Sequence, residues 1–138
     1  MKTKTNAKTK TVRATTALKN RIQEYYRRLN ARDFQWCYRA IDPAIRNQAT
    51  SVTFLQFASS LARFLDHYGS VGVGPNAIDI QLHQNEPNSL YENRDFAVVR
   101  VLWHDSTGGL RHFQDRWVRN GRSWYSRTTG LVTHDAKT

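Results

Sequence analysis

At 138 residues, with 39% hydrophobic and 12% aromatic content, the chain is long enough for one buried core and too short for two ordinary domains, and it carries too much apolar surface for a disordered chain. Its 21 Lys and Arg against 11 Asp and Glu give a net charge of +10, which favours solubility and weak attraction to nucleic acid or acidic proteins without forming a groove-reading motif. A single cysteine, Cys37, argues against an intrachain disulfide or a thiolate metal site, and no 18-residue apolar run is present, so a soluble cytoplasmic protein without membrane contact is the expectation.

Residues 1–13 hold Lys2, Lys4, Lys8, Lys10 and Arg13 with no acid and no apolar period, the composition of a flexible basic tail. With Thr15 or Thr16 as N-cap, Leu18, Ile22, Tyr25, Tyr26 and Leu29 recur at i, i+4, i+7, i+8 and i+11, one stripe of a helix. Asp33 can cap a second helix carrying Phe34, Cys37, Tyr38 and Ile41, with Trp36 toward another side, and Pro43 restricts Asp42 and ends or bends it. Residues 46–52 are polar and read as a loop or a short strand. Thr53-x-x-Gln56 is a capping box, followed by the stripe Phe54, Phe57, Ala58, Leu61, Phe64, Leu65 and Tyr68, with Gly69 as the stop.

Beyond the Gly-rich segment 69–75 the period changes to two, with Ile78, Ile80 and Leu82 alternating with Asp79, Gln81 and His83. Residues 85–93 form a turn, Phe96 to Trp103 a central strand, Gly108-Gly109 a second turn, Leu110 to Arg119 the next strand and Trp124 to Leu131 the last. Residues 14–132 therefore form one α+β domain, three helices on one face of at least four antiparallel strands, followed by a short tail at 133–138.

Asn120-Gly121 marks a tight hairpin and, as the two central turn residues, pairs Arg119 with Arg122 and Trp117 with Trp124. One face then reads Phe113, Asp115 and Trp117 beside Trp124, Ser126 and Thr128. An even register across Gly108-Gly109 places Val101, Val99 and Ala97 opposite Phe113, Asp115 and Trp117, with Trp103 above. Asp115 is thus a carboxylate on an apolar face. It is either a structural group bonded to Ser126 or a neighbouring arginine, or a desolvated acid or base in a pocket, with Tyr25 or Tyr26 as a phenolic donor. The opposite face holds Phe96, Val98, Arg100, Leu102, His112, Gln114, Arg116, Val118, Tyr125 and Arg127. This mixture suits a protein interface, and arginine beside aromatics can also take single-stranded RNA.

The run Ile22 to Leu29 with Asp33, Tyr38-Arg-Ala-Ile-Asp-Pro43, Asp95-Phe-Ala-Val-Val-Arg-Val101 and Trp117-Val-Arg-Asn-Gly-Arg-Ser-Trp124 resembles the nuclear transport factor 2-like superfamily, which includes SnoaL-like proteins and ketosteroid isomerase, over about residues 14–132. The resemblance implies a cone in which three N-terminal helices pack on a strongly curved, mainly antiparallel sheet, with a pocket at the open end. Lining residues in that cone are Trp36, Phe57, Leu61, Val99, Val101, Trp103, Phe113, Trp117, Trp124 and Ser126. It also implies a homodimer through the outer sheet face, using Arg100, Gln114, Arg116, Tyr125 and Arg127. Members range from isomerases and lyases to binding modules, so the fold leaves function open.

Three functions follow as expectations. The first is a domain for assembly or for binding a small apolar or aromatic ligand. The others are a cofactor-free isomerase or lyase working through Asp115 and a basic accessory protein on RNA or an acidic partner. The five histidines His67, His83, His104, His112 and His134 show no metal spacing, and neither a Gly-x-Ser-x-Gly elbow nor a phosphate-binding Gly loop is present, so no metal or cofactor is expected.

Overall fold

The stripe Leu18, Ile22, Tyr25, Tyr26 and Leu29 lies inside the protein, on a helix α1 (Lys2–Asn30) longer than its caps announced. The computed structural model describes residues 2–48, 52–72, 74, 76–128 and 134–135, with side chains described for 15–48, 52–72, 74 and 76–128. The backbone passes through Thr15 and Thr16 without starting there, and the basic segment from Lys2 is helical where composition pointed to an irregular tail. No Gly or Pro interrupts residues 2–16, so nothing in the backbone forces the helix to begin at the cap that threonine offered.

Arg32, at φ +62°, ends α1. Its N–H donates to the Leu29 carbonyl at 3.0 Å and the Asp33 N–H to the Arg28 carbonyl at 2.9 Å, the paired bonds of a Schellman stop. The chain then enters α2 (Phe34–Arg39), capped as expected by the Asp33 carboxylate, which accepts from the Trp36 N–H at 3.3 Å. Pro43 opens a further turn, α3 (Pro43–Arg46), with Asp42 as its cap. Proline suits the first helical position because no N–H is needed there. Four described helices therefore precede the sheet; Arg46, expected in a loop or short strand, ends α3 and 47–48 follow it, while residues 49–51 lie outside the described residues. In α4 (Phe54–Tyr68) both bonds of the Thr53–Gln56 capping box form and Gly69 closes the helix.

The strands are β1 (Ile78–His83), β2 (Phe96–His104), β3 (Leu110–Asn120), β4 (Ser123–Ser126) and β5 (His134–Asp135). They pair antiparallel in the order β1-β2-β3-β4, and β5 pairs with β3 at Arg111 and His112. The register of β2 on β3 is the expected one: Val101 opposite Phe113, Val99 opposite Asp115 and Ala97 opposite Trp117. That of β3 on β4 is offset from expectation. Trp117 faces Ser126 and Arg119 faces Trp124, because Gly121 and Arg122 are the central turn residues and only Gly121 takes positive φ (+64°). Glycine at the first central position is the requirement of a type II′ turn, whereas the Asn-Gly reading assumed type I′. An offset of two residues keeps every side chain on its face, so the two-face division survives. Strand β4 stops at Ser126, short of Leu131, and residues 129–133 lie outside the described residues.

One face of the sheet meets the helices. Val99, Val101, Trp103, Phe113, Trp117 and Trp124 pack with the α1 stripe and with Phe57 and Leu61 of α4. Asn30 fixes the segment after α4, exchanging two 2.9 Å bonds with the backbone of Val71. This brings Gly72, at φ +64°, onto the Tyr26 ring, where an added Cβ would lie 3.3 Å from the ring carbon. No helix of the described chain is long and apolar enough to cross a membrane.

Candidate functional site

Asp115 sits in the middle of β3, on the helix-facing side, and is 1% exposed. Five donors reach its carboxylate. The Tyr26 hydroxyl donates to Oδ2 at 2.9 Å and the Trp117 indole N–H to Oδ2 at 2.7 Å. Oδ1 accepts from the Arg116 backbone N–H at 2.8 Å, the Ser126 hydroxyl at 3.1 Å and the Thr128 hydroxyl at 2.5 Å. The offset hairpin creates this set, since pairing Trp117 with Ser126 brings Thr128 level with Asp115.

None of these donors is a cation. Burial raises the Asp115 carboxyl above its ordinary range, and the bonds from Thr128, Trp117, Tyr26 and Ser126 pull it back only in part. Burial likewise lifts the Tyr26 phenol well above its ordinary value, helped by the adjacent Asp115. Of the two tyrosines expected as donors, Tyr26 meets Asp115. Tyr25 instead sets its ring edge-on to Trp117 at 5.4 Å and to Tyr26 at 5.2 Å.

The residues expected to line a pocket pack against one another. Tyr26 lies 6.1 Å from Phe113, Phe113 lies 5.6 Å from Trp103, and Trp103 lies 5.9 Å from Phe64, ring centre to ring centre. Phe57, Leu61, Val99, Val101, Trp117, Trp124 and Ser126 are all buried with them. Trp36 is half-buried at the rim, with the Arg21 guanidinium 4.7 Å and that of Arg28 5.5 Å from its ring centre. Cys37 is buried beneath, its thiol pushed up to about 12 by burial and then by the charge of Asp33.

A second buried carboxylate lies one strand away. The Asp42 side chain is fully enclosed, yet it meets two guanidinium groups. Arg127 donates at 2.8 Å and Arg94 at 3.2 Å to Oδ2, and Asn120 donates at 3.3 Å to Oδ1. Burial alone would raise this carboxyl, but the bonds from Arg127, Arg94, the Ala44 N–H and Asn120 outweigh it and hold the group below its ordinary value. The backbone around Asp42 extends the sheet edge: its N–H donates to the Ser126 carbonyl and the Ser126 N–H to the Ala40 carbonyl, both at 2.8 Å. Sequence reading treated Asp42 only as the residue before Pro43. The Asp-Pro pair signals a helix cap, but the arginines come from the residue after β4 and from the loop before β2, 85 and 52 positions away.

On the far side of the sheet, Arg100, Gln114 and Arg116 are exposed at the centre, with Phe96, Val98, Leu102 and Tyr125 half-buried around them. Arg127, expected on this face as an interface residue, is instead committed to Asp42 and lies over the Tyr91 ring at 5.5 Å. Comparisons of the chain with protein-family models, with curated proteins and with solved structures found no match.

Proposed function

We propose that this chain is a non-catalytic binding and assembly domain of the nuclear transport factor 2-like architecture, cytoplasmic, whose working surface is the outer face of the sheet. The observation that carries the reading is the saturation of Asp115. Both oxygens are filled by protein donors at 1% exposure, and the aromatic side chains in front of it meet one another. A general base needs an oxygen within reach of the proton it removes. The helix-facing side is therefore better suited to holding the domain together than to turnover.

Arg100, Gln114 and Arg116, exposed on the outer face beside half-buried Val98, Leu102 and Tyr125, have the arginine-and-aromatic character of a docking patch. A homodimer through this face is the first arrangement to measure. Light scattering on the full chain over a range of concentrations tests it. Val98→Asp is expected to abolish association and Asp115→Asn to leave it intact. If the chain self-associates and Val98→Asp leaves that association unchanged, the outer face is not the assembly surface.

A second reading has one observation in its favour. The 2.9 Å Tyr26–Asp115 bond, with the carboxyl raised by burial, is the arrangement of an acid and donor in a cofactor-free isomerase or lyase. It requires the aromatic wall to open to a small apolar ligand. Saturation-transfer NMR with a panel of apolar ring compounds tests this, and signal at Tyr26 and Phe113 would restore the enzyme.

A further inference from the structure

The charges on the outer face are unevenly matched. Seven arginine–carboxylate pairs form among the described residues, and they use Arg27, Arg28, Arg32, Arg94, Arg111 and Arg127 as cations. Arg100 and Arg116 on this face, and Arg122 in the β3–β4 turn, take part in none of them and are exposed. The register places them in order along the sheet. Arg100 pairs with Gln114, so Arg116, two residues on, is its diagonal neighbour at about 7–8 Å. Arg122 is the second central residue of the β3–β4 turn, whereas Arg119, paired with Trp124, lies on the helix-facing side of β3. Among the described outer-face strand positions the one acid is Asp79, beside Arg100.

This pattern discriminates between occupants. A second copy docked face to face would bring arginine rows together with one aspartate each to offset them, which is unfavourable for like charges. A polyanion matches the row. The cations are arginines, whose planar guanidinium groups bind phosphate through two bonds and stack on rings. Aromatic rings share the face: Tyr125 is half-buried, and the His83 ring stacks flat on Phe96 at 4.6 Å with 4° between planes. Duplexes hide their base faces, whereas a single strand offers both phosphates and unstacked bases to such a surface.

We infer that the outer face of β2, β3 and the β3–β4 turn binds single-stranded nucleic acid, with Arg100, Arg116 and Arg122 on the phosphates and Tyr125 beside them as a stacking ring. The inference rests on the reading of this face as the working surface. Binding of a labelled oligouridylate to the full chain, followed by fluorescence anisotropy, tests it. Three phosphate contacts predict an affinity loss of about 18-fold between about 50 and 200 mM salt; two contacts leave a loss of about 7-fold and one of about 3-fold.

Arg100→Gln/Arg116→Gln is expected to flatten the salt dependence to about 3-fold and, separately, Arg122→Gln to about 7-fold, while the circular dichroism stays unchanged. An unchanged slope in both variants moves the contact off the sheet and overturns the inference. Equal affinity for polyglutamate replaces the nucleic acid with an acidic protein and also overturns it. Absence of oligouridylate binding, together with a dimer that Val98→Asp dissolves, overturns it while leaving the face as the working surface. If neither oligouridylate binding nor association occurs, the inference and the reading beneath it both fall.

Discussion

Asp42 and Asp115 flank the same residue, Ser126, and are both enclosed, yet they are driven in opposite directions. Ser126 offers its backbone to the Asp42 side and its hydroxyl to Asp115. Around Asp42 two arginines overcome the cost of burial and the carboxyl is held low. Around Asp115 every donor is uncharged, burial dominates and the carboxyl is raised. Five hydrogen bonds without a cation thus do less for a buried charge than two guanidinium groups, because dipoles replace hydration while a full opposite charge also contributes Coulomb energy that falls off slowly in a low-dielectric interior.

The largest expected effect comes from breaking the arginine-bound site. Asp42→Ala leaves Arg94 and Arg127 unpaired and removes the cap of α3. It is expected to cost about 3 kcal/mol in urea unfolding at neutral pH, toward the low end for buried pairs because both guanidinium side chains are partly exposed (21% and 24%). The loss should shrink in acid. A carboxyl held low in the folded state contributes stability above its unfolded value of about 3.9 and surrenders it as pH falls through the folded value. A cost that stays constant down to pH 2 would break the contrast.

Asp115 should show the opposite sign. A carboxyl raised in the folded state binds its proton more tightly there, so stability falls as pH climbs from about 3.9 through the folded value. Asp115→Asn cannot accept from both the Trp117 and Arg116 N–H groups, and a buried donor left unpaired costs about 2 kcal/mol. That cost should be greatest at and below about pH 4 and diminish as pH rises, measured by urea unfolding at several pH values. A wild-type Asp115 carboxyl that titrates at or below about 3.9 by NMR would overturn this and remove any physical basis for acid or base work.

The smallest change sharpens the picture. Tyr26→Phe deletes one of the five donors, with an expected cost of about 1 kcal/mol. Since the Tyr26 hydroxyl is one of the groups pulling the Asp115 carboxyl down, its loss should move that titration further up. A downward movement would mean that Tyr26 destabilises the ionised form, contrary to the geometry.

Local signals were the legible part of the chain. The capping box at Thr53–Gln56, the cap at Asp33, the apolar stripe of α1 and the register of β2 on β3 follow from spacing, because each depends on residues close in sequence or on a strict period. The hairpin turn was misplaced by one residue, since Asn-Gly and Gly-Arg are both competent central pairs and the choice lies with cross-strand packing. Asp115 was legible by face but not by partners. Thr128 reaches it only through the observed offset, and the choice between Tyr25 and Tyr26 turns on a helix rotation that a stripe of neighbouring aromatics cannot specify. Asp42 was missed because its cations come from distant segments that carry no local mark.

By itself, then, the sequence determined the α+β class, the caps of α2 and α4, the two faces of the sheet and the presence of a lone carboxylate between aromatics. These depend on backbone sterics and on the burial period of single elements. Only the tertiary structure decided which donors surround each carboxylate, that arginines reach Asp42 and none reaches Asp115, and which arginines stay unmatched on the outer face. Those outcomes depend on distances between segments tens of residues apart, where Coulomb energy and desolvation are set by the assembled fold rather than by any neighbour in the chain.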